Sequence, residues 1–434
     1  MRESFMKVAF YTLGCKVNQY ETQEMTEILR RYGYKPAGAG ETPDVCVVNS
    51  CTVTAESDRK TRQAVNRMRR LYPESIIILT GCMAQAYPEK SDELPSADIV
   101  LGNRDYSRLP EAIEEHRRTG KHLFRVLTHE KGERFCDEDI SAFENRNRAF
   151  VKIQDGCDRF CAYCIIPTSR GRSRSKPAEQ LKPEFERLAQ AGFTEVVLVG
   201  INLSAYGRDV GSNICEAVEI AAAVDGIEQV RLGSLEPDHI TPEILNRLAS
   251  CPKFCPQFHI SLQSGCDATL RRMNRHYTAA EYAQLCADIR ARFDDPTITT
   301  DLMVGFAGET QEEFEETCDF VRKIQFDKVH VFPYSVRPGT RAEHFEKQVP
   351  KAEKERRAHV MIELTEAIRA KKLKARIGKT DRVLFESRHD GDQYIGYTAN
   401  YTPVQVHASH DISGQTLAVR ITGADAEKCM GELL

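Results

Sequence analysis

Short apolar runs alternate with longer amphipathic stretches from the first residues onward. KVAFYTL precedes the helical pattern NQYETQEMTEILRRY, DVCVVNS precedes TAESDRKTRQAVNRMRRLY, and SIIILTG leads into a polar connection with a proline. ADIVLG and the helical SRLPEAIEEHRR complete the set. Parallel strands buried on both faces are apolar throughout and need a crossover helix each, so residues 1–127 predict a doubly wound parallel sheet. Across 128–147 (THEKGERFCDEDISAFENRN) the periodicity fails, and this charged stretch reads as a linker.

Residues 148–375 carry a second α/β series. Strands are expected near FVKIQDG, EVVLVG, QVRLGSL, FHISLQS, TITTDLMVGF and KVHVFPYS, separated by helical patterns such as KPAEQLKPEFERLAQAG and QEEFEETCDFVRKI. Six such units suit an open (β/α)6 partial barrel, active at the carboxyl ends of its strands and open on one side to a large substrate. A long basic helix, AEKERRAHVMIELTEAIRAKKLKAR, trails it. Residues 376–434 alternate with period two between turn signals such as HDGDQ and HDISGQ, which predicts a small antiparallel β-barrel. Tyr394, Tyr397 and Tyr401 within it suit base stacking or barrel packing equally.

A chain of 434 residues accommodates about two to four domains. No apolar run reaches the roughly 18 residues of a membrane span, and the N-terminus lacks a signal-like apolar segment, so a cytoplasmic protein without membrane attachment is expected. The net charge of −4 conceals basic stripes: 59–70 holds six cations and no acid, 144–176 eight cations against three acids, and 351–376 nine against four. Solvated helix faces often look like this, but two of the stripes flank the cysteine motifs below, which favours a polyanionic substrate. Candidate contacts to it are Arg59, Arg62, Arg170, Arg172 and Arg337.

Fifteen cysteines, an odd number, argue for reduced thiols and metal ligation over a disulfide framework. Cys157, Cys161 and Cys164 form a C-x3-C-x2-C run directly after the first strand of the second series. Three thiolates on one loop can hold three irons of a 4Fe-4S cube and leave the fourth open to another ligand. Zinc fits less well, since structural zinc is closed by four ligands and no fourth Cys or His follows at finger spacing. Cys15, Cys51 and Cys82 end the strands at TLGC, VNSC and LTGC. Parallel strands put their carboxyl ends on one edge, so these three can meet in a second three-thiolate site, where helix N-termini would favour deprotonated thiols. Cys251 and Cys255 repeat half the motif without a third cysteine and read as structural, Cys46, Cys215, Cys286 and Cys318 as core, and Cys136 as an incidental thiol.

Loops at the active edge of the barrel offer cofactor contacts. These are Tyr163 before Cys164, Gly200 and Asn202 in VGIN, Glu236 in SLEP, Gln263 in SLQSG, Gly305 and Gly308 in MVGFAGET, and Pro333 with Tyr334 in FPYSVRPGTR. Glycines allow close backbone approach, and polar or aromatic residues at strand ends orient a ligand.

YTLGCKVNQYET, VVNSCTVT, LTGCMAQ, GCDRFCAYCIIP, ISLQSG, DLMVGFAGET and PYSVRPGTR together resemble the radical S-adenosylmethionine (SAM) methylthiotransferases over nearly the full chain. Within that family they are similar to the MtaB-type branch, which acts on N6-threonylcarbamoyladenosine beside the anticodon of tRNA. After the first cysteine, Lys-Val-Asn differs from the Gln-Met-Asn of the isopentenyladenosine branch and the Pro-Lys-Asn of the ribosomal-protein branch. Ala307 departs from the family's usual Pro in GFPGET and leaves the flanking glycines intact. The resemblance implies an N-terminal cluster domain, a radical SAM domain and a C-terminal TRAM domain. It implies two 4Fe-4S clusters, one on Cys157, Cys161 and Cys164 that binds SAM and reduces it to a 5′-deoxyadenosyl radical attacking adenine carbon 2, and one on Cys15, Cys51 and Cys82 that presents methylated sulfur. A tRNA anticodon stem-loop, a cytoplasmic electron donor and a sulfur source are the implied partners. The same chemistry on isopentenyladenosine tRNA or on a ribosomal protein side chain, and a metal-stabilised RNA-binding protein without activity, are the alternatives left open.

Overall fold

The computed structural model describes residues 5–104, 106–136 and 148–434. The N-terminal sheet has six parallel strands in the order Lys35–Pro36, Lys7–Thr12, Val45–Ser50, Ile76–Gly81, Ile99–Leu101 and Leu123–Arg125. The winding reverses between Lys7–Thr12 and Val45–Ser50, and open α/β sheets take ligands at the carboxyl edge above such a reversal. Both faces are covered. Met25, Ile28 and Leu29 of helix Lys16–Arg31 pack with Val45, Val47 and Ile78, while Ala64 and Val65 of helix Ala55–Leu71 pack with Cys46, Val48 and Ile77 on the other side. The edge strands and the short helices Cys82–Ala86 and Pro88–Asp92 are additions to the expected elements. Segments this short carry too few side chains to show a period.

The central strands are Arg148–Lys152, Glu195–Val199, Gln229–Leu232 continued by Ser234–Leu235, Gln257–Ile260, Thr297–Val304 and Lys328–Pro333, neighbours in that order and parallel. No pairing joins the first to the last among the described residues, so the barrel is open. Val151, Val196, Val230, Phe258 and Ile298 face the helices in one core, which leaves Phe150, Val197, Arg231 and His259 on the lumen side. Helix Lys351–Lys374 covers the last strand through Ala358, Met361 and Ile368.

Helix Lys16–Arg31 is poor in apolar residues yet mostly buried, because the central domain covers its second face. Tyr20 joins the central core and donates its hydroxyl to Glu184 (3.1 Å), Glu21 pairs with Arg170, and Lys152 lies 3.8 Å from Glu24.

The C-terminal segment closes into a five-stranded barrel in the order Thr380–Asp390, Gln393–Thr398, Pro403–His407, Cys429–Leu433 and Thr416–Ala424. It departs from the expected antiparallel form in one ladder, because Pro403–His407 and Cys429–Leu433 run parallel. Tyr394 is buried in its core. Tyr397 and Tyr401 stack on each other with centroids 4.5 Å apart, and the Arg148 guanidinium lies 4.9 and 5.0 Å from the two rings. These rings therefore seat the small barrel on the amino ends of the central strands, where Arg231 also donates to the Ala399 carbonyl (2.7 Å). No helix among the described residues is long and apolar enough to cross a membrane.

Candidate active site

Cys15, Cys51 and Cys82 follow three adjacent strands at the carboxyl edge of the N-terminal sheet, around the winding reversal. Two glycines allow their approach. Gly14 has φ +106°, and a Cβ there would lie 2.7 Å from Asn18 Oδ1 and 2.9 Å from Cys51 Cβ. Gly81 has φ +90°, and a Cβ there would lie 2.5 Å from Asn49 Oδ1 and 2.6 Å from the Ser50 backbone. Any side chain at either position would push the strand ends apart. Asn18 Nδ2 ties them together by donating to Asn49 Oδ1 (3.2 Å) and to the Ser50 carbonyl (3.1 Å).

Arg170 reaches this edge from the central domain. Its Nε donates to Cys82 Sγ (3.2 Å), Nη1 and Nη2 to the Glu21 carboxylate (2.6 and 3.0 Å), and Nη1 also to Asp155 (3.2 Å). Arg170 ends helix Ile166–Arg170, which starts two residues after Cys164. At 1.5 Å per residue the stretch from Cys164 to Arg170 spans about 9 Å. One short connection thus links the two cysteine groups. On the other flank, just past Cys51, Thr52 and Asp58 accept from Arg337 Nη2 (2.8 and 2.5 Å), Ala55 N donates to Ser335 Oγ (3.0 Å), and the Tyr87 hydroxyl donates to the Pro338 carbonyl (3.0 Å). These contacts turn the carboxyl edge of the sheet toward the carboxyl end of the barrel.

Cys157, Cys161 and Cys164 occupy the loop after the first central strand. Ala162 N donates to the Met273 carbonyl (2.9 Å), and Arg275 Nη1 donates to Cys161 Sγ (3.3 Å) while its other nitrogen pairs with Glu236. Each cysteine group therefore has one sulfur that accepts from a buried arginine held by carboxylates. Burial pushes the Cys82 and Cys157 thiols up to about 12 and raises Cys164 as well, with the Arg170 charge opposing the rise at Cys82. No three His, Cys, Asp or Glu side chains converge closely enough for a single metal ion among the described residues. A 4Fe-4S cube takes one thiolate per iron at separate corners, so each group of three cysteines matches three corners and leaves the fourth iron to another ligand.

Asn202 and Gln263 are buried at strand ends, and Asn202 Oδ1 and Gln263 Oε1 have no hydrogen-bond partner among the described residues. Buried acceptors of this kind call for a donor, and the amino group and ribose hydroxyls of SAM are donors. The Tyr334 hydroxyl is buried and unpartnered in the same way. Tyr163 meets Phe306 edge-on at 6.1 Å, and Phe306 meets Tyr334 at 5.0 Å, so an apolar group that includes Ala307 holds the MVGFAGET loop against the cysteine loop. Other expected contacts have different neighbours. Gly200 makes room for Gln154, whose Cβ and Oε1 would each lie 2.9 Å from an added Cβ, so it serves packing. Gly305 donates its N–H to Glu309 (2.9 Å), Glu236 is neutralised by Arg275 and Arg159, and Pro333 is exposed at its strand end.

Of the basic candidates, Arg62 is exposed, Arg59 is exposed and paired with Glu56, and Arg172 is exposed with its guanidinium 4.5 Å from the Phe160 ring. Arg170 and Arg337 correct the expectation of substrate contact. They are 1% and 2% exposed, and Glu21, Asp155 and Asp58 neutralise them, so they join the domains and present no charge to a phosphate. Cys136 is exposed, and residues 137–147 of the expected linker lie outside the described residues. Arg275 and Arg159 were not anticipated, because RRMNRHY and CDRFC give no sign that these arginines turn inward.

Residues 7–102 match the uncharacterized protein family UPF0004, and residues 151–321 match the radical SAM superfamily. The chain is 36% identical to the threonylcarbamoyladenosine tRNA methylthiotransferase MtaB of Bacillus subtilis (strain 168), over 96% of this chain and 94% of that one. It is 32% identical to the tRNA-2-methylthio-N(6)-dimethylallyladenosine synthase of Clostridium botulinum (strain Okra / Type B1), over 97% and 95%. Among solved structures it is similar to the radical SAM methyltransferase TsrM of Kitasatospora setae, with a TM-score of 0.57 over 78% of this chain and 77% of that one. At 14% identity that likeness speaks for the fold alone.

Proposed function

The chain belongs to the MtaB-type methylthiotransferases of the radical SAM superfamily, and from that membership we propose that it converts N6-threonylcarbamoyladenosine next to the anticodon of tRNA to the 2-methylthio derivative. The observation that carries this reading is the pair of three-cysteine groups on facing edges, linked through helix Ile166–Arg170 and the Arg170 to Cys82 contact. When bound, a 4Fe-4S cluster on Cys157, Cys161 and Cys164 would supply the electron that opens SAM, and a second on Cys15, Cys51 and Cys82 would present the methylated sulfur. Three protein ligands each leave the open position that either task needs.

The chain's own side chains do the positioning. Asn202 and Gln263 offer acceptors to SAM. Arg170 and Arg275 each donate to one ligand sulfur, which stabilises negative charge there and fixes its direction. The Arg337 to Asp58 and Tyr20 to Glu184 contacts hold the two edges at constant spacing and keep water from the seam between them. The open side of the barrel admits an anticodon stem-loop, with Arg59, Arg62 and Arg172 as exposed phosphate contacts. An electron donor and a sulfur source complete the partners, and the cytoplasm is the site of action in this reading.

The similarity to dimethylallyladenosine synthases favours a second reading, the same chemistry on that nucleoside. Mass spectrometry of tRNA nucleosides from cells lacking their own methylthiotransferases and expressing this chain tests both. We expect 2-methylthio-N6-threonylcarbamoyladenosine to appear with isopentenyladenosine unchanged. Methylthiolation of isopentenyladenosine alone would select the second reading, and unchanged nucleosides would remove both.

A further inference from the structure

The first residue of helix Lys16–Arg31 sends a cation into the central barrel. Lys16 Nζ lies 5.9 Å from the centroid of the Phe150 ring, and Phe150 shares a rung with Val197 and Arg231 on the lumen side of the first three strands. Val17, next along the helix, packs with Val197 and Val199 in one apolar group that includes Phe150. Among the described residues no ion pair or hydrogen bond engages the ammonium. The charges beyond it already balance. Arg148 pairs with Glu195 and Glu386, and Arg231 pairs with Glu195 (3.0 Å), two cations against two acids. Lys16 is the surplus charge. A ring face near the limit of cation–π range holds it only weakly, and a partly desolvated ammonium without a counter-charge gains by meeting an anion.

Its position says which anion. Lys16 follows Cys15 directly, so a purine that presents carbon 2 to the Cys15, Cys51 and Cys82 group must pass close to it. The N6 substituent leaves the purine from carbon 6, two ring atoms from carbon 2, and so falls within reach of this side chain. A threonylcarbamoyl group ends in a carboxylate, whereas a dimethylallyl group is hydrocarbon throughout. We propose that Lys16 is the specificity-determining residue that reads a carboxylate on the N6 substituent of the substrate base, with the Val17, Val197 and Val199 group as the apolar floor beneath it. A charge-assisted hydrogen bond rewards the first substituent, and the second leaves the ammonium unpaired. The inference deepens the proposed function and rests on it.

The test compares wild type, Lys16→Met, Lys16→Gln and Lys16→Arg, each anaerobically reconstituted. Fluorescence anisotropy without reductant measures binding of anticodon stem-loops carrying adenosine, N6-threonylcarbamoyladenosine or N6-isopentenyladenosine at the same position. Wild type is expected to prefer the threonylcarbamoyl stem-loop to the unmodified one by about 10- to 100-fold. Lys16→Met and Lys16→Gln bring that ratio close to one, and Lys16→Arg keeps most of it. Iron content is read beside each, and if Lys16→Met loses iron the ratio is taken from Lys16→Gln. A wild-type ratio near one, a neutral variant with the wild-type ratio, or equal loss in the Lys16→Arg protein overturns the inference. The parent reading fails separately, when wild type forms no 2-methylthio-N6-threonylcarbamoyladenosine in the nucleoside assay; with that product present and the ratio insensitive to Lys16, only the inference falls.

Discussion

The two cysteine groups arrive at similar surroundings by opposite routes. Cys157, Cys161 and Cys164 share one loop, so local spacing alone brings them together. Cys15, Cys51 and Cys82 follow three strands, and the register of a parallel sheet, with Gly14 and Gly81 free of side chains, brings them to one edge. Their arginines differ in the same sense. Arg275 reaches Cys161 from within the barrel, whereas Arg170 reaches Cys82 from the other domain. The difference teaches that the N-terminal site is incomplete without the central domain, while the loop site depends on its own barrel.

The largest expected effect lies at Gly81. Gly81→Val would force a side chain against the Ser50 backbone, and iron in the reconstituted protein should fall from about eight to about four per chain with SAM cleavage continuing. Loss of all iron would show instead that the two groups do not form independently. Arg170→Ala comes next. It removes the cation shared by buried Glu21 and Asp155, which keep Lys152 at 3.9 Å and Arg174 at 3.1 Å, and denaturant unfolding of the apo protein should register a loss of about 2–3 kcal/mol. Arg275→Ala should cost less, because Arg275 pairs with one carboxylate where Arg170 pairs with two, and Arg159 still faces Glu236. Equal losses would erase the contrast between a ligand partner supplied across domains and one supplied locally.

A smaller and more selective effect is expected from Arg337→Ala, which removes the contact to Asp58 and Thr52 beside Cys51. SAM cleavage should proceed while methylthio product falls about tenfold, as misplacement of reacting groups predicts. Parallel loss of both would place Arg337 in support of the barrel rather than of the seam. Smallest in stability are Asn202→Ala and Gln263→Ala, since neither acceptor has a partner to lose. Calorimetric SAM affinity should drop about tenfold with unfolding stability changed by less than about 0.5 kcal/mol. Stability lost in step with affinity would mean that these side chains serve the fold.

The same contrast explains what was legible in the sequence. The doubly wound sheet, the open barrel and the small closed barrel were readable because period and length repeat over many residues. The loop motif was readable from spacing, and the strand-end cysteines from their shared place beside Gly or Ser. What escaped depends on long-range placement. Arg170 and Arg337 looked like phosphate contacts in basic surroundings, yet domain packing buried them against Glu21 and Asp58. Gly200 looked like a ligand glycine, but Gln154 fills the space beside it. The parallel ladder at Pro403–His407 follows from how the small barrel closes, and alternation within a strand carries no sign of its neighbour's direction.

The central claim is that both cysteine groups hold clusters facing one shared space. Pulsed electron paramagnetic resonance on the reduced, fully loaded protein measures the separation of the two centres directly. With the Cys164 to Arg170 stretch spanning about 9 Å and one arginine side chain completing the link, a separation within about 20 Å is expected. A separation beyond about 30 Å, or a single paramagnetic centre at full iron loading, would contradict the account.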